Sequence, residues 1–144
     1  MTIRPATVED VPAIAAMGQE FASASTYAAH MQTDPGRLAV VASGILANPD
    51  AAMWVCVRDD QPIGMLAMAM VTHPLSGDRI ASEIVWWMDP SARGVGLRLL
   101  RTAERWAKAL GAVAVHMIAP TERVGQLYEA IGYAPVETNY YRRF

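Results

Sequence analysis

An α/β fold built on a central mixed β-sheet flanked by helices is what the sequence predicts, and three observations carry that expectation. Two β-rich runs are joined by turn-forming residues near the middle of the chain. Strand patterns then alternate with helical ones through the second half. A glycine turn, Arg93-Gly94-Val95-Gly96, stands where a strand passes into a helix. The 144 residues fit one domain over 1–144, and no internal repeat, low-complexity tract or Pro/Gly/Ser linker divides them.

The elements follow in order. A short strand at Thr2–Arg4 leads to Thr7, which caps a helix with Asp10 at capping-box distance, and Val11, Ile14 and Phe21 give that helix an apolar stripe. Asp34-Pro35 begins a second helix, Asp as cap and Pro in the first turn, with Leu38, Val41 and Ile45 along one face. Runs at Met53–Arg58 and Ile63–Thr72 flank Asp59-Asp60-Gln61-Pro62, residue types that favour a hairpin turn. The next strand, Ser82–Met88, is apolar on both faces apart from Glu83, which predicts a central position in the sheet. Beyond Pro90 the period becomes helical: Leu99, Ala103, Trp106, Ala107 and Leu110 share a face over 95–110, and Gly111 suits a left-handed C-terminal residue. Ala112–Ala119 reads as strand, Val124, Leu127, Tyr128 and Ile131 as a last helix stopped by Gly132, and Glu137–Phe144 as an edge strand closing the sheet.

Charge narrows the partners. Twelve basic residues against 14 acidic ones give a net charge of -2, which provides no footprint for gripping nucleic acid or an anionic membrane surface. A small-molecule or peptide partner is favoured, and the organisation is compatible with a homodimer. Cys56, the one cysteine, excludes an internal disulfide and a cysteine-based zinc cluster, and in Trp54-Val55-Cys56-Val57 it reads as a buried structural thiol. His30 and His73 have no carboxylate or cysteine at ligand spacing, so no metal site is expected. The start lacks a signal-peptide layout and the longest apolar run, Ile63 to Val71, falls short of the ~20 residues of a membrane span, which predicts a soluble cytoplasmic protein.

The glycine turn has the makings of an anion site. Glycines allow positive φ and close backbone approach, so successive N–H groups converge on phosphate oxygens while the helix dipole adds positive potential. A dinucleotide fingerprint would need a third glycine at Leu99, and a Walker loop needs Gly-Lys-Ser/Thr; neither is here. A tight strand-to-helix turn with a solvated Arg93 remains the plainer alternative on the turn alone.

Context adds a resemblance. Ser91-Ala92-Arg93-Gly94-Val95-Gly96 is similar to the central motif Gln/Arg-x-x-Gly-x-Gly/Ala of the GNAT superfamily of N-acetyltransferases, and Leu127-Tyr128-Glu129-Ala130-Ile131-Gly132-Tyr133 is similar to its Leu-Tyr-x-x-x-Gly-Phe/Tyr motif. The likeness runs from Ile3-Arg4-Pro5 to Tyr133, with the same order of elements. Ser91 stands where the family has Gln or Arg, and Thr121 where many members have Asn. The resemblance implies the GNAT acyl-CoA N-acyltransferase fold and acetyl-CoA as co-substrate. Its diphosphate would lie on the amides of Arg93, Gly94, Val95, Gly96 and Leu97, and its pantetheine along Trp87, Met88 and Asp89, where that strand splays from the strand at 112–119.

Acylating an amine by a thioester requires proton removal, oxyanion stabilisation and departure of a thiolate. Glu83 is the candidate base: its segment, Ser82-Glu83-Ile84-Val85, resembles the one carrying the general-base glutamate in the histone-acetyltransferase branch. The structural alternative is an ion pair with Arg79 or Arg142, because a carboxylate in an apolar strand is costly unless paired. Tyr128 matches the tyrosine that protonates the departing sulfur in many members, although its place in the helix stripe is explained equally by packing. A backbone N–H near Met88 is the expected oxyanion donor. His116 reads more simply as a core histidine than as a base, and Trp86 and Trp87 pack on opposite sheet faces, one of them lining the acceptor pocket. The reading is an N-acetyltransferase acting on a primary amine of a small-molecule or peptide acceptor. Its alternatives are a non-catalytic acyl-CoA sensor or interaction module, and a domain that binds some other phosphate.

Overall fold

A two-residue turn organises the middle of the chain. In the computed structural model, which describes residues 1–92 and 94–144, Asp59 and Asp60 adopt φ of 50° and 60°, the mirror-image geometry that matches the twist of paired strands. They join β2 (Ala51–Arg58) to β3 (Gln61–Thr72), so Gln61 and Pro62 lie in the strand rather than the turn. Around this hairpin the described residues form a sheet ordered β1-β2-β3-β4-β5, with β1 at Thr2–Pro5, β4 at Arg79–Met88 and β5 at Ala114–His116. All neighbours are antiparallel except β4 and β5, which are parallel, so the sheet is mixed as the sequence predicts.

Helices cover both faces. On one lie α1 (Val11–Ala24) and α2 (Pro35–Ala47), whose Ile14, Met17, Ala42 and Ile45 pack on Met53, Val55, Met65 and Ala67. On the other lie α3 (Gly96–Ala109) and α4 (Glu122–Ala130), where Leu99, Leu100, Ala103, Ala107 and Tyr128 meet Trp54, Leu66, Met68, Met70 and Ala81. Alternate residues of β3 serve opposite cores, which is why its apolar run is continuous. Met65, Leu66, Met68, Leu99 and Leu100 are almost wholly buried, each worth about 1.5–3 kcal/mol of transfer free energy. Cys56 is fully buried in β2, as expected, and burial pushes its thiol pKa up.

Helix starts follow the sequence closely. Asp34 accepts from the N–H groups of Gly36 and Arg37 at the head of α2, and Thr121 from Val124 at the head of α4. The capping box of Thr7 and Asp10 forms too, but around a short 3-10 turn, Val8–Asp10, preceding α1. Buried Asp10 is clamped by Arg4 through bonds of 2.7 and 2.9 Å, which hold its carboxyl below the usual carboxylate range. No helix among the described residues is long and apolar enough to cross a membrane.

Two expectations fail at the C-terminal side of the sheet. The strand expected over Ala112–Ala119 pairs only from Ala114 to His116, and Glu137–Phe144 forms no strand at all. Pro135 has no N–H for a ladder, and β5 offers too little length to template a neighbour. The final segment instead rests on the turn Thr26–Ala29 and its end: the Tyr141 ring lies 6.4 Å from Tyr27 and 5.6 Å from His30, and Arg143 Nη1 donates to the His30 carbonyl at 3.2 Å.

Candidate active site

One extra residue in β4 sets the geometry of the site. Ala67 of β3 pairs with Val85 and Met68 with Glu83, leaving Ile84 bulged. Strict alternation from Ala81 would turn Val85 and Trp87 toward α3 and α4. The bulge resets the phase, so Ala81, Trp86 and Met88 contribute to the core under α3 and α4, while Val85 and Trp87 join the opposite core. Trp86 and Trp87 therefore pack on opposite faces, as the sequence predicts, Trp87 with its ring 6.5 Å from Phe21.

Pairing between β4 and β5 ends at Ser82 with His116, and past that point the two strands separate. Glu83 bridges the opening: the Ile118 N–H donates to its Oε2 at 2.9 Å. No arginine pairs with it among the described residues. Arg79 bonds Asp50 at 2.6 Å instead, and Arg142 lies over the Phe144 ring. Without a cation, burial dominates and pushes the Glu83 pKa up to about 7, against the opposing pull of the Ile118 N–H and the nearby Tyr128 hydroxyl.

Tyr128 faces this carboxyl from α4. Its hydroxyl donates to the Ile118 carbonyl at 3.2 Å, and the single phenolic proton has Glu83 as a competing acceptor. Burial, followed by the charge of Glu83, moves the phenol pKa well above its ordinary value, so Tyr128 remains a proton carrier throughout the neutral range. Its ring stacks on Trp86 with centroids 6.0 Å apart. Behind it, Tyr133 lies 5.5 Å away and donates to Glu104 Oε1 at 2.8 Å, while Arg101 holds the other Glu104 oxygen at 2.7 Å. That brace was not singled out in the sequence, although Tyr133 ends the motif that carries Tyr128. His116 is half-buried on β5 with Nδ1 3.4 Å from Ser82 Oγ.

The glycine turn lies beyond the end of β4. Gly94 adopts φ of 83° with open space where a Cβ would stand, and α3 begins at Gly96 with Val95 as an N-cap whose side chain makes no capping bond. The first N–H groups of α3 are thus left for an outside acceptor, unlike those of α2 and α4. Gly96 permits close packing, since a Cβ there would sit 3.2 Å from Trp86 Cζ2, and Gly64 lets Met88 lie over β3. Asp89 is absorbed into the turn: its N–H donates to the Ile63 carbonyl, its own carbonyl accepts from Ala92, and its carboxylate accepts from the Ser91 N–H at 2.7 Å. Val95 is buried and Leu97 exposed. Arg93 lies outside the described residues.

A cleft of about 2210 Å³ brings Glu83, Trp86, Met88, His116 and Tyr128 together, and its lining extends to Tyr27 and Tyr141. Open space over Gly94 and uncapped N–H groups fit a diphosphate, and the gap between β4 and β5 fits an extended chain. Among the described residues no cluster of three or more His, Cys, Asp or Glu is arranged to hold a metal ion.

Comparison with known proteins agrees with this fold. The profile of the Acetyltransferase (GNAT) family matches residues 17–133. Similar solved structures include an aminoglycoside 6'-N-acetyltransferase from Acinetobacter haemolyticus, at TM-score 0.78 and 19% identity over 100% of this chain and 98% of that one. A ribosomal-protein-alanine N-acetyltransferase from Brucella melitensis gives TM-score 0.76 at 18% identity, covering 99% and 98%. An aminoglycoside N-acetyltransferase in complex with CoA gives 0.80 at 16%, covering 99% and 93%. No curated protein matches the sequence.

Proposed function

The chain belongs to the acetyltransferase (GNAT) family, and on that premise we propose that it transfers an acetyl group from acetyl-CoA to a primary amine by direct attack in a ternary complex. The observation that carries the proposal is Glu83: a carboxyl with a pKa of about 7, unpaired by any cation among the described residues, held at the opening between β4 and β5 and facing Tyr128. Such a group is half ionised near neutrality, where a base that takes the proton of an amine is most effective. With Oε2 engaged by Ile118, Oε1 accepts that proton, directly or through one water, while the Tyr128 hydroxyl is turned to the Ile118 carbonyl.

Tyr128 supplies a proton to the departing thiolate. A thiol of pKa ~8.5 leaves readily, so the hydroxyl contributes a modest factor. A backbone N–H of β4 near Met88, where the strand runs past its pairing with β5, stabilises the tetrahedral oxyanion. The amides of Gly94 to Leu97 hold the diphosphate, and the pantetheine runs along the end of β4 at Trp87, Met88 and Asp89, the last of which also braces the turn through its carboxylate.

The acceptor is a small-molecule or peptide amine, in keeping with relatives of the same fold that act on aminoglycosides and on a ribosomal protein. The chain acts as one domain, 1–144, in the cytoplasm. A panel of amines assayed by release of CoA thiol tests the proposal: turnover with at least one amine is the expected result. Acetyl-CoA binding with no thiol release from any acceptor would leave a non-catalytic acyl-CoA sensor as the better reading.

A further inference from the structure

Arg58 ends β2 next to the two-residue turn, and the hairpin lies against the glycine turn because the Asp89 N–H reaches the Ile63 carbonyl of β3 at 2.8 Å. From there Arg58 Nη2 donates to Ser91 Oγ at 2.9 Å. Ser91 is pinned from the other side through its N–H to Asp89. A guanidinium carries five N–H donors, and this hydroxyl takes one. Among the described residues no carboxylate stands within ion-pair distance of Arg58, although Asp59, Asp60 and Asp89 are all near in the chain or the fold. The half-buried cation has settled on a neutral hydroxyl in the segment that leads into the glycine turn, with donors to spare.

We propose that Arg58 binds the diphosphate of the CoA substrate, as a clamp carried to the glycine turn by β2 and aimed by Ser91. The proposal rests on the acetyl-transfer reading above. It also gives the short side chain at Ser91 a role, since a long cationic residue there would occupy the place that the Arg58 guanidinium fills from the neighbouring hairpin. Guanidinium is suited to this because its planar donors bind two phosphate oxygens at once.

Calorimetric titration of wild type, Arg58→Gln and Arg58→Lys with acetyl-CoA and with 3'-dephospho-acetyl-CoA tests the assignment. Arg58→Gln is expected to weaken both ligands about 10- to 100-fold and to flatten the dependence of affinity on salt, with Arg58→Lys recovering part of the loss. The KM for S-acetyl-pantetheine, which has no phosphate, is expected to stay unchanged and serves as the check that the variant is folded. Ser91→Ala, which frees the guanidinium without removing it, is expected to give a smaller loss in the same direction. Equal affinities of wild type and Arg58→Gln would overturn the proposal. A loss confined to the 3'-phosphorylated ligand would overturn the diphosphate assignment, and so would an equal loss with S-acetyl-pantetheine. A wild type that binds neither nucleotide ligand would sink the acetyl-transfer reading itself, and the role of Arg58 with it.

Discussion

Burial of the Glu83 carboxyl has two separable effects. For catalysis, kcat/KM is expected to rise with pH through about 7 as the carboxyl ionises, and Glu83→Gln to lower it by about 10²–10⁴ near neutrality, with partial recovery at higher pH as the amine loses its own proton. A pH–rate profile identical in wild type and Glu83→Gln would leave Glu83 structural. For stability the sign runs the other way. The folded state holds this proton up to about 7, whereas the unfolded chain releases it near 4.5, so stability falls as pH rises between those values. Glu83→Gln is therefore expected to match the wild-type stability near pH 4 and to exceed it at pH 8, by at most about 3 kcal/mol, reduced by the partial exposure of the group, as read from denaturant titrations at the two pH values. Tyr128→Phe keeps the stack on Trp86 and is expected to lower kcat with little change in acetyl-CoA affinity; unchanged kcat would reduce the residue to packing. Sequence alone singled out Glu83 because an acid in an apolar strand is costly. It left the pairing with Arg79 or Arg142 open, since those arginines find Asp50 and Phe144 only once the chain is folded.

Among the elements, β4 and the start of α3 position the chemistry. Gly94→Val is expected to abolish acetyl-CoA binding in a calorimetric titration while leaving the core intact, because a β-branched residue resists φ of 83° and fills the space a diphosphate would use. Gly64→Ala tests the other end of the path. Its Cβ would fall within van der Waals overlap of Met88 Sδ, so Met88 must move and the KM for acetyl-CoA is expected to rise; an unchanged KM would show that the path does not depend on where Met88 lies. Helices and hairpin were legible because caps, glycines and apolar periods act over a few residues: Asp34 and Thr121 cap as residue type suggests, and Asp59-Asp60 makes the turn. The bulge at Ile84 was not legible. Ser82 to Met88 reads as uninterrupted strand, and only the register against Met68 and Ala67 shows that one residue is left over.

For the whole molecule, ligand binding and folding are linked. Acetyl-CoA at a hundredfold excess over its Kd is expected to stabilise the native state by about 2.7 kcal/mol, and a thermal scan with no shift at millimolar ligand would remove the assignment. The segment after Ala134 forms no strand or helix and meets the fold at Tyr27 and His30, so truncation after Ala134 is expected to leave the melting temperature nearly unchanged. Its effect should fall on the KM of the acceptor rather than of acetyl-CoA. Glu137–Phe144 was expected to close the sheet as an edge strand, but pairing needs a neighbour of adequate length, and β5 stops at His116.

The early end of β5 has a further consequence for the protein before its ligand arrives. From Ile84 to Met88 the strand reads Ile-Val-Trp-Trp-Met, with no charge and no proline, and one of its edges has no strand partner among the described residues. An uncharged aromatic edge of this kind is a template for intermolecular β-pairing, so the ligand-free protein should be the aggregation-prone form. Turbidity on prolonged warm incubation is expected to develop faster without CoA than with it, and a lysine at the exposed Ile84 should act as a gatekeeper that slows it. A substrate lying in that gap would then protect solubility as well as take part in chemistry, coupling the lifetime of the protein to the supply of its own substrate.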